Sequence, residues 1–297
     1  MNILSIDGGG IRGFFSAYLL QRIQEELGVN FSNYFDLIAG TSTGSIIAAA
    51  LAIGYPIEKV AELYVNKGAE IFKPQRFSMS GIWKAKYKSQ NLRDQLMHIL
   101  GERTLSETKT RLLIPSVDLI NGQVHVFKSN YLSEFVRDNK VFIYDAVIAS
   151  CSAPTYFKPH KVDGFLLADG GVWANDPALV SYVEATGKLN VPARQVRIFS
   201  VGAGVGEHYY SNKDFDKNWG AISGWGGRQI IDLILNLQSK TASNMVGLLP
   251  KGEYVRLNFS KDYRLSLDDV KILGDLKAIA ERVFSENFIE IKKYFEV

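Results

Sequence analysis

Apolar positions along this chain fall into two rhythms. Short apolar runs bounded by glycine or polar turns alternate with longer stretches in which apolar residues recur every third or fourth position. Residues 2–6 read as a short buried strand closed by Asp7-Gly8-Gly9-Gly10. Residues 14–27 place Ala17, Leu20, Ile23 and Leu27 on one helical face and stop at Gly28. Residues 35–39 predict a second strand. Gly40-Thr41-Ser42-Thr43-Gly44 follows, and 45–53 predict an apolar helix ended by Gly54. Strand–helix–strand–helix with tight glycine turns implies a parallel pair joined by a right-handed crossover. Further strands are predicted at 111–119, 123–128, 165–168 and 197–201, and further helices at 57–72, 91–100, 143–150, 230–246 and 273–295. Asn121-Gly122 predicts a hairpin between the strands on either side of it. Pro115 predicts an edge position or a bulge. Strands interleaved with helices indicate a three-layer α/β fold. No internal repeat or Pro/Ser-rich linker interrupts the pattern, so 1–297 reads as a single domain.

Composition narrows the function classes. Lys and Arg number 34 against 31 Asp and Glu, and the net charge of +3 is too small to point to DNA or RNA. Cys151 is the one cysteine, which excludes an intrachain disulfide and any Cys-built zinc or iron–sulfur centre. The opening residues lack a basic region and a long apolar run, so no secretory leader is expected. No window reaches the ~18 apolar residues of a membrane span. The expectation is a soluble, cytoplasmic protein.

Three segments suit chemistry. Gly40-Thr41-Ser42-Thr43-Gly44 fits G-x-S-x-G between a strand and a helix. Such a turn lifts a serine hydroxyl above the carboxyl end of the sheet, and the following helix directs its positive end at the site. The same segment also suits a plain helix start with Ser42 as N-cap. Gly8-Gly9-Gly10-Ile11-Arg12-Gly13 fits G-x-G-x-x-G. A dinucleotide site expects an acidic residue at the end of the next strand. That strand runs into the Ser42 turn instead, which leaves the glycines as an anion cradle, with Arg12 adding a charge, or as a tight turn. Asp169-Gly170-Gly171 ends the apolar run 165–168 and alone suits an ordinary turn, but it can also present a carboxylate to a neighbouring strand's serine, while Asn175-Asp176-Pro177 reads as a helix cap. Nucleophile, cradle and carboxylate all fall at predicted strand ends, where open α/β sheets place ligands. His208 is the one histidine after Asp169 and fits either the base of a Ser-His-Asp arrangement or a solvated residue of a polar loop.

These motifs, in this order and spacing, resemble those of patatin-like phospholipases. Ser150-Cys151-Ser152-Ala153-Pro154-Thr155-Tyr156-Phe157 adds to a likeness that covers essentially the whole chain. The resemblance implies a three-layer α/β/α fold with a mainly parallel central sheet. It implies a Ser–Asp dyad without histidine, with Ser42 as nucleophile and Asp169 as general base. The backbone of Gly8, Gly9 and Gly10 would form the oxyanion hole with Arg12 nearby, and Gly40, Gly44, Gly170 and Gly171 would shape the turns. The implied reaction is hydrolysis of carboxylic ester bonds of membrane phospholipids through an acyl-enzyme, with no cofactor or metal. The chain resembles compact bacterial intracellular members, some of which are antiphage effectors switched on by cyclic nucleotides. That likeness implies a cyclic-nucleotide activator, although no nucleotide pocket is legible in the residues.

Between 73 and 93, basic residues are interleaved with aromatics and no acidic residue occurs. This composition suits an anionic membrane surface, with Phe77, Trp83, Lys84, Lys86 and Lys88 as candidate contacts. A solvated loop with anchoring aromatics fits it equally. Residues 230–237 are nearly all apolar and suit a core helix or the wall of an acyl pocket. Two other function classes compete. A sugar-kinase or actin-like phosphotransferase also opens with a phosphate-holding Asp-Gly-Gly-Gly run, but then continues into a second strand, whereas Gly13 here leads into a helix. A non-catalytic lipid- or anion-binding module is the other.

Overall fold

The computed structural model describes residues 1–76, 78, 84–206, 210, 214, 216, 218–220, 224, 225, 229–263 and 265–296. Its strands are β1 (Asn2–Ile6), β2 (Leu37–Gly40), β3 (Arg111–Asp118), β4 (Gln123–Lys128), β5 (His160–Val162), β6 (Phe165–Asp169), β7 (Arg197–Val201), β8 (Val205–Gly206), β9 (Glu253–Leu257) and β10 (Ser260–Lys261). Its α-helices are α1 (Gly13–Leu27), α2 (Phe31–Tyr34), α3 (Thr43–Ala52), α4 (Ile57–Ile71), α5 (Ser89–Leu100), α6 (Ile143–Ser150), α7 (Gly171–Ala174), α8 (Ala178–Val183), α9 (Gln229–Leu248), α10 (Leu273–Glu286) and α11 (Phe288–Phe295).

The central sheet runs β5-β6-β3-β2-β1-β7-β9, with β4 on the far edge of β3. From β3 to β9 every neighbour is parallel, and antiparallel pairing is confined to β4, β5 and β6. The mainly parallel α/β/α architecture is therefore present. Alternate residues of the strands enter two separate cores. Leu4, Ile6, Ile38 and Phe199 face one, which holds α1, α3, α4 and α10. Ile3, Leu37, Ala39 and Ile198 face the other, under Ala178, Tyr182 and Val246. Helix α3 is buried on all sides, which its run of alanine and isoleucine between small residues permits.

Three departures from the expected elements have local causes. The helix expected over 273–295 breaks at Asn287, whose side-chain amide donates to Val283 O at 2.8 Å and competes with the helical ladder. Strand β9 carries Glu253 and Arg256 at positions that read as surface, yet it pairs along its whole length with β7. Pro115 lies in a strand with partners on both sides rather than at a sheet edge. β2 covers that edge of β3 only at 111–113, and β6 covers it only at 116–118. Between them the carbonyl of Pro115 accepts from Ser150 Oγ at 2.6 Å. The nitrogen of Pro115 faces the same uncovered stretch, so the missing N–H leaves no ladder bond unmade. Among the described residues no helix is long and apolar enough to cross a membrane.

Gly44 packs directly on the end of β1, and a side chain there would overlap the carbonyl oxygens of Ile6 and Asp7. Gly44→Ala is expected to destabilise the fold by about 2–3 kcal/mol. Gly274→Ala, in α10 with open space around it, is expected to be neutral or slightly stabilising. Chemical denaturation of both variants checks the contrast, and equal stability would refute the packing account.

Candidate active site

The ends of β2 and β6 point at one another along the shared edge of β3, and the two candidate residues meet there. Ser42 Oγ donates to Asp169 Oδ2 at 2.7 Å. Ser42 stands at the N-cap of α3 with φ 51° and ψ −129°, a conformation that glycine adopts more readily than serine. Such strain costs about 1–3 kcal/mol and persists only where neighbours over-determine it. Those neighbours are hydroxyls. Ser42 N donates to Ser150 Oγ at 2.9 Å, and Ser45 Oγ donates to Ser42 O at 2.5 Å. Gly40 and Gly44 lie so close that a side chain on Gly40 would overlap the Gly44 carbonyl.

Asp169 is the last residue of β6 and is buried. Its Oδ1 accepts from Gly171 N at 2.7 Å, while its own N donates to Ser152 O at 3.1 Å. Burial pushes its carboxyl up to about 7, against the pull of the Ser42 and Gly171 hydrogen bonds. Cys151 is buried beside it, and both desolvation and the Asp169 charge push the thiol well above its ordinary range. That places the cysteine as an inert wall rather than a nucleophile.

The glycine turn after β1 lies on the other side of Ser42. Gly9 and Gly10 line the cavity above it. Gly8 N is already engaged with Asn175 O at 3.0 Å, and Gly9 N with Thr43 Oγ1 at 3.3 Å. Gly10 has φ +60°, and a side chain there would overlap Leu267 O. Arg12 is buried and turned back on the turn itself, donating to Gly9 O at 3.1 Å and Gly204 O at 3.2 Å. Its guanidinium braces the cradle from behind. The root of the turn is also fixed: Arg256 grips Asp7 with two hydrogen bonds of 2.7 and 2.6 Å and reaches Asp176 at 3.3 Å.

The cavity is apolar, walled by Ile46, Leu63, Ile71, Phe157, Leu235 and Leu267, and has a volume of about 40 Å³. The 230–237 run therefore contributes Leu235 to the pocket wall. Among the described histidines none lines this cavity. His125 is buried against Phe127 and Phe165 and pushed down to about 4 by desolvation, while His160 pairs with Asp145 at 2.7 Å. His208 lies outside the described residues.

A patatin-like phospholipase family model matches residues 4–182. The chain belongs to this family. By family it is a lipid ester hydrolase, and the phosphotransferase and non-catalytic readings are not favoured. A cGAMP-activated phospholipase of Escherichia coli strain TW11681 is 32% identical over 268 residues, covering 83% of this chain and 75% of that one. A cGAMP-activated phospholipase of Vibrio cholerae serotype O1 is 34% identical over 234 residues, covering 70% of this chain and 65% of that one. The crystal structure of VipD from Legionella pneumophila shares the fold, with a TM-score of 0.50 at 11% identity over 99% of this chain and 67% of its own.

Of the expected membrane contacts, Phe77 and Trp83 lie outside the described residues. Lys84 and Lys88 are exposed. Lys86 turns inward instead, pairing with Asp268 at 2.5 Å, and Tyr87 donates to the same carboxylate at 2.6 Å. Its charge is thus engaged within the fold, holding 86–87 to the segment that covers Gly10. Sequence reasoning also missed Ser150, Asn175 and Arg256. Asn175 read as a cap, Ser150 lay in a segment quoted only for its family likeness, and Arg256 lay in no segment that suggested a site.

Because the Asp169 carboxyl sits near 7, its proton must leave before it can accept one from Ser42. Labelling of Ser42 by a fluorophosphonate is expected to rise about tenfold per pH unit up to about 7 and to flatten above it. A plateau already reached at about pH 5 would refute the shift. The charged form is the one that burial disfavours. The same group's contribution to stability is therefore fullest below its unfolded value and is lost as pH rises through about 7.

Proposed function

We propose that Ser42 and Asp169 form the catalytic dyad of this hydrolase and that its substrates are membrane phospholipids. The observation that carries this reading is the 2.7 Å contact between Ser42 Oγ and a buried, unusually basic Asp169. Asp169 Oδ2 takes the Ser42 proton as Oγ bonds to the ester carbonyl carbon. The resulting oxyanion lies toward the Gly10 amide and the first turn of α3, the Gly8 and Gly9 amides being already engaged. Asp169 then returns the proton to the departing alkoxide, leaving an acyl-Ser42 that water hydrolyses with Asp169 again as base. Arg12 keeps the glycine turn in shape, and the glycines at 40, 44, 170 and 171 keep both turns tight. One domain carries the whole site.

We further read the enzyme as latent until a cyclic dinucleotide binds. Two relatives bear the name cGAMP-activated phospholipase. A cavity of about 40 Å³ is also far below the ~150 Å³ that holds even benzene, so a fatty acyl chain needs the wall to open. Such a switch fits a role in antiphage signalling. Peripheral contact with an anionic bilayer would supply the substrate. Exposed Lys84 and Lys88 suit that contact, as do the exposed Ile234 and Leu237, which flank the pocket residue Leu235 on α9.

Ser42→Ala and Asp169→Asn are each expected to lower hydrolysis of a short p-nitrophenyl ester and of phospholipid vesicles by about a thousandfold or more. Turnover surviving either substitution would overturn the dyad. Wild-type turnover of phosphatidylglycerol-containing vesicles is expected to rise at least about tenfold on adding cyclic GMP–AMP, a linkage of ordinary size. The Lys84→Glu, Lys88→Glu double variant should lose part of the vesicle rate and none of the p-nitrophenyl ester rate. A vesicle rate indifferent to a panel of cyclic dinucleotides would remove the activator from this reading.

A further inference from the structure

Asn175, between α7 and α8, is 4% exposed. Its side-chain amide is oriented by its partners. Nδ2 donates to Gly8 O at 3.2 Å and to Ser239 Oγ at 2.8 Å. A backbone carbonyl only accepts, so the Gly8 contact decides which end of the amide faces it. Oδ1 therefore faces away, and it has no hydrogen-bond partner among the described residues. Asn175 lines the same cavity as Ser42 and Asp169.

The glycines beside it define where Oδ1 points. At Gly8 the first atom of a side chain would overlap Asn175 Oδ1 and lie 3.0 Å from Ser42 Cβ. At Gly171 that atom would lie 2.9 Å from both Asn175 Oδ1 and Asp169 Oδ1. The unpaired oxygen thus lies between the glycine turn beside the nucleophile and the glycine loop beside the base, fully buried. The cavity, at about 40 Å³, exceeds the ~10–15 Å³ that one water needs. Buried acceptors left unpaired are rare in native structures, and each calls for a reason.

We propose that Asn175 is a catalytic residue of the second half-reaction, accepting a hydrogen bond from the water that attacks the acyl-enzyme. This rests on the Ser42–Asp169 reading and extends it. The attacking water has two O–H bonds. One proton passes to Asp169 Oδ2 as the water oxygen bonds to the acyl carbonyl carbon. The other O–H donates to Asn175 Oδ1, which aims the remaining lone pair. The tetrahedral species then breaks its C–Oγ bond, Asp169 returns the proton to Ser42 Oγ, and the carboxylic acid leaves. No water takes part in the first half-reaction, so Asn175 Oδ1 acts on deacylation alone. The Nδ2–Gly8 contact, by contrast, supports the glycine turn and bears on both halves equally.

The test is pre-steady-state hydrolysis of p-nitrophenyl butyrate by the full chain, with cyclic GMP–AMP present, together with mass spectrometry of acyl-Ser42. Asn175→Ala is expected to keep its burst of nitrophenolate within a few-fold of wild type. Its steady-state kcat should fall about 10- to 100-fold, KM should fall with it, and butyryl-Ser42 should accumulate. Asn175→Asp retains an acceptor at Oδ1 but sets a second one against Gly8 O, so its burst and its turnover are expected to fall together. An equal loss of burst and turnover in Asn175→Ala would mark a purely structural role and overturn the inference. So would unchanged turnover, or an Asn175→Asp variant that bursts without turning over. A wild type that forms no acyl-Ser42 would overturn the dyad as well, whereas an acylating wild type with an indifferent Asn175→Ala overturns this inference alone.

Discussion

One edge of β3 serves two partners in succession, and the site depends on that arrangement. β2 lies against its first residues and β6 against its last, running in opposite directions. Their ends face each other over the stretch around Pro115. In an unbroken ladder, Ser42 and Asp169 would leave the sheet at separate strand ends. At this junction the turn after one strand and the last residue of the other reach the same point. Ser150 joins the Ser42 turn to the junction, donating to Pro115 O and accepting from Ser42 N. The strained serine is thereby tied to the same break that makes room for it.

Electrostatics divides the labour among three buried aspartates. Asp7 and Asp176 share the Arg256 guanidinium, which joins the root of the glycine turn to the turn that follows the Asp169 loop. Those two turns touch directly, Gly8 N donating to Asn175 O at 3.0 Å, and one cation keeps them in register. Among the described residues Asp169 accepts the hydrogen bonds of Ser42 and Gly171 N. Burial makes it a stronger base than a surface carboxylate, as it does Asp7 even beside Arg256, and proton abstraction from a serine hydroxyl requires such a base. On the proposed reading, a buried carboxylate takes the part that imidazole plays in other hydrolases.

Much of this was legible in the sequence because it is local. Gly40, Ser42 and Gly44 lie within one turn, as do Asp169, Gly170 and Gly171, and each set declares a backbone shape and a functional group together. The strands 2–6 and 197–201 announced themselves as short, mostly apolar runs, which is how strands buried on both faces tend to read. What escaped was chemistry assembled across distance. Arg256 and Asp7 meet from opposite ends of the chain, and a charged residue inside a strand reads as surface. Lys86 is indistinguishable from Lys84 and Lys88 until Asp268 is brought beside it. Asn175 looked like a cap because its neighbours Asp176 and Pro177 make one. Pro115 was recognised as anomalous, but no spacing rule states that two strands can share a neighbour's edge.

The glycines of the two turns differ in kind from the residues they surround. Their missing side chains are demanded by backbone atoms close by: Gly44 by the end of β1, Gly10 by Leu267, and Gly170 by the carbonyl of Pro115. None of those demands refers to an ester or to water. A descendant of this protein that lost hydrolysis would still be obliged to keep its glycines in order to fold, while Ser42 and Asp169 would be free to drift. In this lineage, then, the glycine signature is a record of ancestry and architecture, and on the proposed reading retained activity is written in side chains that the fold does not itself require.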